Sequence, residues 1–313
     1  MGVPGMKNPE MERDRWAVLL AGGDGMRLRS LTRHLTGDER PKQFCPVIGG
    51  RTLLEQTWRR TALAVPADRT LVVVTRKHER FYRPLLGALA VRHVVVQPEN
   101  RGTAAVILYP LLCLATFSPT ASVAIFPSDH HFSDEGGFMA HVESAFDAVE
   151  TSPQRVLLLG IPPDTHEADY GWIEPADLLP GPPMSRMYQV KRFWEKPEPA
   201  LAEILRDRGC FWNSFVMVAG VQALLGLIRS AVPDLYDAFA SIQSTLGTPA
   251  EPAAVRALYA GLVPTDFSRE ILSVRPRLLG LLAVGCVVWS DLGSPERVLR
   301  AQQHVGQLAA AAR

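Results

Sequence analysis

Paired cysteines, long apolar runs and a surplus of either charge are all missing from this chain. Its four cysteines, Cys45, Cys113, Cys210 and Cys286, stand singly in 313 residues. None has the C-x-x-C spacing of a zinc site, and they form no disulfide framework. Four reduced thiols suit a cytoplasmic protein. Basic residues number 33 and acidic residues 32, so the net charge of +1 gives no drive toward nucleic acid or an anionic membrane surface. Any anion site must be local. The longest apolar run, Leu278 to Trp289, is broken by Gly280 and Gly285. It falls well short of the ~20 residues of a membrane helix and reads as core strand. Residues 1–15 are polar, with Glu10, Glu12 and Asp14, and read as a loose tail rather than a secretory signal. Repeats, low-complexity segments and any Ser-His-Asp or Cys-His nucleophile pattern are absent as well.

What remains is a chain that is 47% hydrophobic and 21% charged, ordinary for a globular α/β protein. Short apolar runs at Ala17–Leu20, Thr70–Thr75, His93–Val96, Val123–Phe126 and Val156–Leu159 predict strands. They alternate with helical patterns at Leu53–Leu63, Glu79–Leu89, Thr103–Leu114 and Phe138–Val149. Thr52-Leu53-Leu54-Glu55 has the spacing of a capping box. This alternation predicts a Rossmann-like, mixed but mostly parallel sheet with helices on both faces, whose ligands gather at the carboxyl ends of the strands. The second half is less regular. Tyr188–Glu195 reads as a strand and Phe211–Val218 as a strand or loop. Helices are expected at Glu198–Asp207, Val221–Ser230, Leu235–Ile242, Ala253–Ala260 and Pro295–Ala310, with surface connections at 179–183 and 248–252. Residues 16–300 read as one domain, with a nucleotide-binding half to about 160, a second half beyond it, and a helical tail from 301.

Several strand ends carry chemistry. The first run empties into Leu20-Ala21-Gly22-Gly23-Asp24-Gly25-Met26-Arg27-Leu28, followed by Pro41-Lys42-Gln43-Phe44. Glycines let backbone N–H groups approach an anion, and Arg27 and Lys42 add positive charge. Gln97-Pro98-Glu99-Asn100-Arg101-Gly102-Thr103-Ala104 offers the amides of Gln97 and Asn100 for a base edge or a sugar hydroxyl. Gly102 there permits close approach of a flat ligand, and a helix starts at Thr103; a polar strand-to-helix turn would look the same. Pro127-Ser128-Asp129-His130-His131 and Trp289-Ser290-Asp291-Leu292-Gly293 each place a carboxylate just past an apolar run. Two such carboxylates suit Mg²⁺ shared with a phosphate, although either aspartate could simply cap a turn. His130 and His131 are expected to pack or bond to backbone. Glu174 suits sugar hydroxyls, Lys196 a second phosphate, and Asn213 a carbohydrate-facing amide beside aromatic surface.

Taken in order, Leu20–Leu28 with Pro41–Phe44, Gln97–Ala104, Pro127–His130, Tyr170–Glu174, Glu195–Pro197, Trp212–Ser214 and Trp289–Ser294 resemble the sugar-1-phosphate nucleotidyltransferases, nearest to their mannose-1-phosphate guanylyltransferase branch. The likeness extends from Trp16 to about Arg300. It implies a fold of the nucleotide-diphospho-sugar transferase type and an enzyme that moves a nucleotidyl group, GMP from GTP, onto a sugar-1-phosphate such as mannose-1-phosphate. Pyrophosphate is released and GDP-mannose formed. It further implies that Leu20, Ala21, Gly22, Gly23 and Gly25 wrap the triphosphate, with Arg27 and Lys42 on its phosphates. Gln97, Asn100, Gly102 and Thr103 would meet the nucleoside. Asp129 and Asp291 would hold Mg²⁺. Gly171, Glu174 and Asn213 would bind the sugar and Lys196 its phosphate. A homodimer is a further expectation. Uridylyl, thymidylyl or adenylyl transfer to another sugar phosphate, and a non-catalytic nucleotide-sugar sensor, are the alternatives. The sequence departs from the family at Met26, in the long link Arg29–Arg40, and at Asp266–Leu272, which follows the family's Asp-Tyr pattern only in part.

Overall fold

The structure, a computed structural model, describes residues 13–182 and 185–311. Most of the expected tail, residues 1–12, and part of the 179–183 connection lie outside them. In chain order the strands are β1 (Arg15–Leu20), β2 (Thr70–Thr75), β3 (His93–Gln97), β4 (Ser122–Pro127), β5 (His131–Phe132), β6 (Val156–Ile161), β7 (Gly171–Leu179), β8 (Met187–Glu195), β9 (Phe211–Gly220), β10 (Leu279–Ala283) and β11 (Trp289–Ser290). The helices are α1 (Arg29–Thr36), α2 (Leu53–Thr61), α3 (Glu79–Ala88), α4 (Gly102–Phe117), α5 (Glu135–Thr151), α6 (Pro199–Asp207), α7 (Val221–Ala231), α8 (Pro233–Ala240), α9 (Glu251–Gly261) and α10 (Pro295–Ala311).

Nine strands form one sheet in the order β3-β2-β1-β4-β9-β6-β10-β8-β7. The apolar run of β1 and the β-branched run of β2 are buried on both faces, as covered parallel strands must be. Pairing is parallel across β3-β2-β1-β4. Parallel pairing does not prevail in the second half. There β9 runs antiparallel to both β4 and β6, and β8 runs antiparallel to β10 and β7. The sheet is therefore mixed, with an all-parallel first half and a far half that is antiparallel except for the parallel β6–β10 pair. One core face lies under α4, α7, α8 and α9 and is built around Leu108, Ile125, Phe239 and Tyr259. The other lies under α2, α3, α5 and α6 and is built around Leu19, Phe126, Phe146 and Trp172.

Local signals explain most elements. The capping box at Thr52 is closed in both directions, Thr52 Oγ1 accepting from Glu55 N at 3.2 Å and Glu55 Oε2 from Thr52 N at 2.8 Å. Asp134 caps α5 by accepting from Gly137 N at 2.9 Å. The link Arg29–Arg40 is not a loop: its first eight residues are helix α1, closed by Gly37 at φ +78°, the usual left-handed stop. The run 278–289 is not one strand. It splits at Gly285 and Cys286, the latter at φ +58°, so β11 leaves the main sheet and pairs with β5. Strand β7 extends the Tyr170–Pro175 motif well past its aromatic start.

Residues at both ends of the 16–300 span are packed in. Strand β1 begins at Arg15, which is buried and bonds Glu150 and Asp147 at 2.6 Å. At the other end α10 runs through residue 300 without a break. Its Val298 and Ala301 join Leu28, Cys45, Val47, Leu53 and Leu292 in a small third core, and Gln302 Nε2 donates to Val47 O at 2.8 Å. The start of α10 is thus part of the domain, packed against the loop that follows β1.

Candidate active site

The glycine loop is held from two sides. Gln43 is buried, and its Nε2 donates to Ala21 O at 3.0 Å and Gly23 O at 2.8 Å. From the sheet, Thr75 Oγ1 donates to Gly22 O at 2.8 Å and accepts from Gln97 Nε2 at 2.9 Å. Because the threonine proton is already committed to Gly22, the Gln97 amide must present its NH₂ to Thr75. A Cβ on Gly22 would lie 2.4 Å from Gln97 Nε2, so that glycine is required by packing as much as by ligand approach. Gly25 adopts φ +59°, and its Cβ position lies 3.0 Å from Lys42 N, which brings the loop against the Pro41–Phe44 turn.

Around this loop a cavity of about 340 Å³ opens at the carboxyl ends of β1, β3 and β4. Leu20, Gly22, Gly23, Arg27, Gln97, Asn100, Gly102 and Thr103 line one end. Gly171, Glu195, Lys196, Asn213 and Phe215 line the other. A second hollow, sharing Arg27, Asn100, His130 and Asp291 with it, is lined by Gly25, Met26, Lys42 and Asp129. Most residues singled out in the sequence therefore converge on one continuous cleft. Ala21 is buried beneath it, its N–H donating to Val73 O at 2.8 Å.

Glu174 does not line the cleft. Its carboxylate pairs with Lys191 Nζ at 2.7 Å, and this contact holds it below the usual range for glutamate. Strand alternation gives the reason: Gly171 and Glu174 are three residues apart, so the Glu174 side chain leaves the face opposite to the one a Cβ at Gly171 would occupy. The carboxylate that does face the cavity is Glu195, directly across the β7–β8 ladder from Gly171. A Cβ at Gly171 would lie 3.1 Å from Glu195 Oε2 and 2.8 Å from Phe193 Cζ. Burial, with Asp266 nearby, raises the Glu195 pKa. The Glu195-Lys196-Pro197 motif held the signal for this residue. Lys196 follows at φ +47°, its N–H donating to Tyr170 O at 3.2 Å. Asn213 Oδ1 accepts from Phe215 N at 3.1 Å, which leaves its NH₂ free of that bond.

Gly102 carries φ +86°, and its Cβ position lies 2.3 Å from Thr265 O. The close approach it allows is therefore to backbone of the 265–268 segment, not only to a ligand. That segment is stitched to the start of α4: Ala104 N donates to Thr265 O at 3.1 Å and Phe267 N to Thr103 Oγ1 at 2.7 Å. It also adds Asp266 and Ser268 to the cavity wall.

Lys42 sits where the two strand-end aspartates meet. Its side chain is only 11% exposed, with Nζ 3.3 Å from Asp129 Oδ2 and 3.3 Å from Leu292 O, and bonded to Asp291 O. Asp291 Oδ1 accepts from Gly293 N at 2.8 Å, Arg297 Nη1 at 3.0 Å and Tyr170 OH at 3.3 Å. Burial opposes ionisation of Asp291, but Lys42, His130 and Arg297 outweigh it and lower its pKa. His130 is driven down to about 4 by burial against the pull of Asp129, so it is neutral near pH 7. Its Nδ1 accepts from Trp289 Nε1 at 3.3 Å, the packing role expected for it.

The donor set fits Mg²⁺. Asp129 and Asp291 supply hard carboxylate oxygens beside Lys42, whose ammonium pairs with the Asp129 carboxylate and bonds the Asp291 backbone carbonyl. Among the described residues no group of three or more His, Cys, Asp or Glu is poised to hold a metal. A pair of carboxylates suits an ion that keeps waters and phosphate oxygens for its remaining positions. Among the described residues no helix is long and apolar enough to cross a membrane.

Known proteins resemble this chain over most of its length. The xanthan biosynthesis protein XanB of Xanthomonas campestris is 32% identical over 224 residues, which cover 71% of this chain and 45% of XanB. The mannose-1-phosphate guanylyltransferase of Escherichia coli K12 is 28% identical over 228 residues, 71% of this chain and 46% of its own length. The chain thus spans about half the length of these relatives. Among solved structures, a Thermus thermophilus protein described as a mannose-1-phosphate geranyltransferase superposes with a TM-score of 0.76 at 27% identity, covering 91% of this chain and 79% of that one. Residues 16–307 match the nucleotidyl transferase family, and the chain belongs to that family.

Proposed function

We propose that this nucleotidyltransferase moves GMP from GTP to mannose-1-phosphate, releasing pyrophosphate and forming GDP-mannose. The observation that carries this reading is the shared cleft: the glycine loop, Lys42 and Asp129 lie at one end, and Glu195, Lys196 and Asn213 at the other. Two polyanions must meet there in line. Catalysis is then mainly alignment and charge neutralisation. Arg27, at the junction of the two hollows, is placed to meet the triphosphate, and Lys42 to follow charge that develops on the departing pyrophosphate. Lys196 holds the sugar phosphate, whose oxygen is the nucleophile and is already anionic, so no general base is required. Glu195 and Asn213 orient the sugar hydroxyls. Asp129 and Asp291 would hold Mg²⁺, which when bound screens the phosphate oxygens and polarises the α-phosphorus. The guanylyl preference draws on the Gln97–Ala104 segment and on the naming of the Escherichia coli relative. A reducing, cytoplasmic setting is in keeping with four free thiols.

A panel of five nucleoside triphosphates against several sugar-1-phosphates, read by pyrophosphate release, tests the substrate pair. The expected maximum is GTP with mannose-1-phosphate. Turnover confined to UTP, dTTP or ATP would remove the guanylyl assignment and keep the reaction class. The two glutamates give a sharper local test. Glu195→Gln is expected to lower kcat/KM for the sugar phosphate by about 10- to 100-fold, the worth of a hydrogen bond to a charged acceptor. Glu174→Gln, which touches Lys191 rather than the cavity, is expected to stay within about 3-fold, since an amide keeps an oxygen to accept from the exposed Lys191 and the residue does not reach the substrate. Equal losses at both positions would contradict the assignment of Glu195.

A further inference from the structure

We infer that Arg297, on the first turn of α10, is a positioning residue that decides which oxygen of Asp291 is offered to the metal; the inference rests on the proposed Mg²⁺ role of Asp291. Arg297 is 8% exposed and reaches four partners at once. Nη1 donates to Asp291 Oδ1 at 3.0 Å, and Nη2 lies 2.8 Å from Glu167 Oε1 and 3.4 Å from Asp169 Oδ2. The guanidinium lies 4.4 Å above the Tyr170 ring, and the Tyr170 hydroxyl donates to the same Oδ1 at 3.3 Å.

All three donors that reach the Asp291 carboxylate, Gly293 N–H, Arg297 and Tyr170, converge on Oδ1. A carboxylate oxygen has about two lone-pair directions, so three donors saturate it. Oδ2 is left as the oxygen available to a cation, and turning the carboxylate out of this plane would break every one of those bonds. The planar fork of arginine can hold Asp291 with one nitrogen while the other stays on Glu167 and Asp169; a lysine is a point charge and cannot span both. A Cβ on Gly293 would lie 2.5 Å from Asp291 Oδ2 and 2.9 Å from Arg297 Nη1, so the backbone beside the pair is shaped to this arrangement. Orientation of metal ligands by a surrounding shell of hydrogen bonds commonly changes metal affinity 10- to 100-fold.

The test is Mn²⁺ binding to the purified protein, followed by electron paramagnetic resonance, together with the Mg²⁺ activation curve of pyrophosphate release. Arg297→Met and Arg297→Lys are expected to weaken Mn²⁺ binding about 10-fold or more and to raise the Mg²⁺ concentration for half-activation in parallel, with Asp291→Asn at least as severe. Glu167→Gln removes a partner of Arg297 but leaves its bond to Asp291, and should keep Mn²⁺ affinity within about 2-fold. This separates positioning from general loss of packing. Should Asp291→Asn weaken Mn²⁺ while both Arg297 variants, folded by circular dichroism, bind it like the parent, the positioning role is overturned. If Asp291→Asn itself leaves Mn²⁺ binding unchanged, the metal assignment of Asp291 fails, and the inference with it.

Discussion

Asp129→Ala should lower turnover by roughly 10³-fold while leaving the fold and its melting temperature nearly unchanged. The activity loss is that of removing a preorganised electrostatic contact from a site where charge builds up in the transition state. The fold should survive because the carboxylate is a light structural participant. Its ion-pair contacts are Lys42 Nζ at 3.3 Å and His130 at 3.7 Å. His130 is neutral near pH 7, so that contact adds little. Lys42 keeps its two backbone carbonyl acceptors after the change. Turnover and thermal melting measured on the same preparation check both halves. Turnover within about 10-fold of the parent would take Asp129 out of the reacting centre.

The second large effect is structural. Gly102→Ala should destabilise the protein by about 3 kcal/mol or more and weaken nucleotide binding, because it combines strained backbone with an immovable clash. The new methyl group would meet Thr265 backbone atoms at 2.3 to 2.8 Å, with φ at +86°. Backbone cannot turn aside as a flexible side chain can. Moving the 265–268 segment would break the bonds from Ala104 N to Thr265 O and from Phe267 N to Thr103 Oγ1, and with them the cavity wall that carries Asp266 and Ser268. Gly23→Ala is the control: no heavy atom lies within 4 Å of its Cβ position and its φ is ordinary, so its stability cost should stay under about 1 kcal/mol. Denaturant melts of both variants decide the matter, and equal stabilities would show that the α4–Thr265 contact is dispensable.

Legibility in the sequence followed the range of the interaction. The strands of the first half and the helices between them were readable because each announces itself locally, by an apolar run or a cap such as Thr52–Glu55. The glycine loop and the strand-end carboxylates were readable for the same reason. Features set by distant partners were not. Helix α1 hid in a segment judged only by its length, although Leu28, Leu31 and Leu35 mark one helical face. Glu174 alternates with Gly171 along β7, so its outward side follows once the strand is drawn; the place of Glu195 does not, because only the β7–β8 ladder sets it opposite Gly171. Gly102 looked like space for a ligand because Thr265, more than 160 residues on, was not in view. Arg297 carried no signal at all: its four partners come from the loop before β7, from β7's approach at Tyr170, and from the turn after β11.

Helix α10 is a clamp, with Val298 and Ala301 in the small core beneath the glycine loop and Arg297 on Asp291. Loop, clamp and strand-end carboxylates are thus one packed unit. The long Arg29–Arg40 segment adds α1 to the outside of that unit rather than loosening it, since the helix is closed by Gly37 and by the Asp38–Arg40 pair at 2.7 Å. Met26 is 59% exposed and lines the Lys42–Asp129 hollow.

The central claim is that the cleft breaks a triphosphate at its α-phosphorus and joins that phosphorus to a sugar phosphate. Incubation with Mg²⁺, mannose-1-phosphate and GTP carrying a radiolabel on the α-phosphate tests it most directly. The label should move into a nucleotide sugar that resists phosphatase, in equal amount to the unlabelled pyrophosphate released, and Asp129→Ala should abolish the transfer. Label recovered only in GTP, or in GMP and GDP with none in a sugar conjugate across the full panel of nucleotides and sugar phosphates, would contradict it.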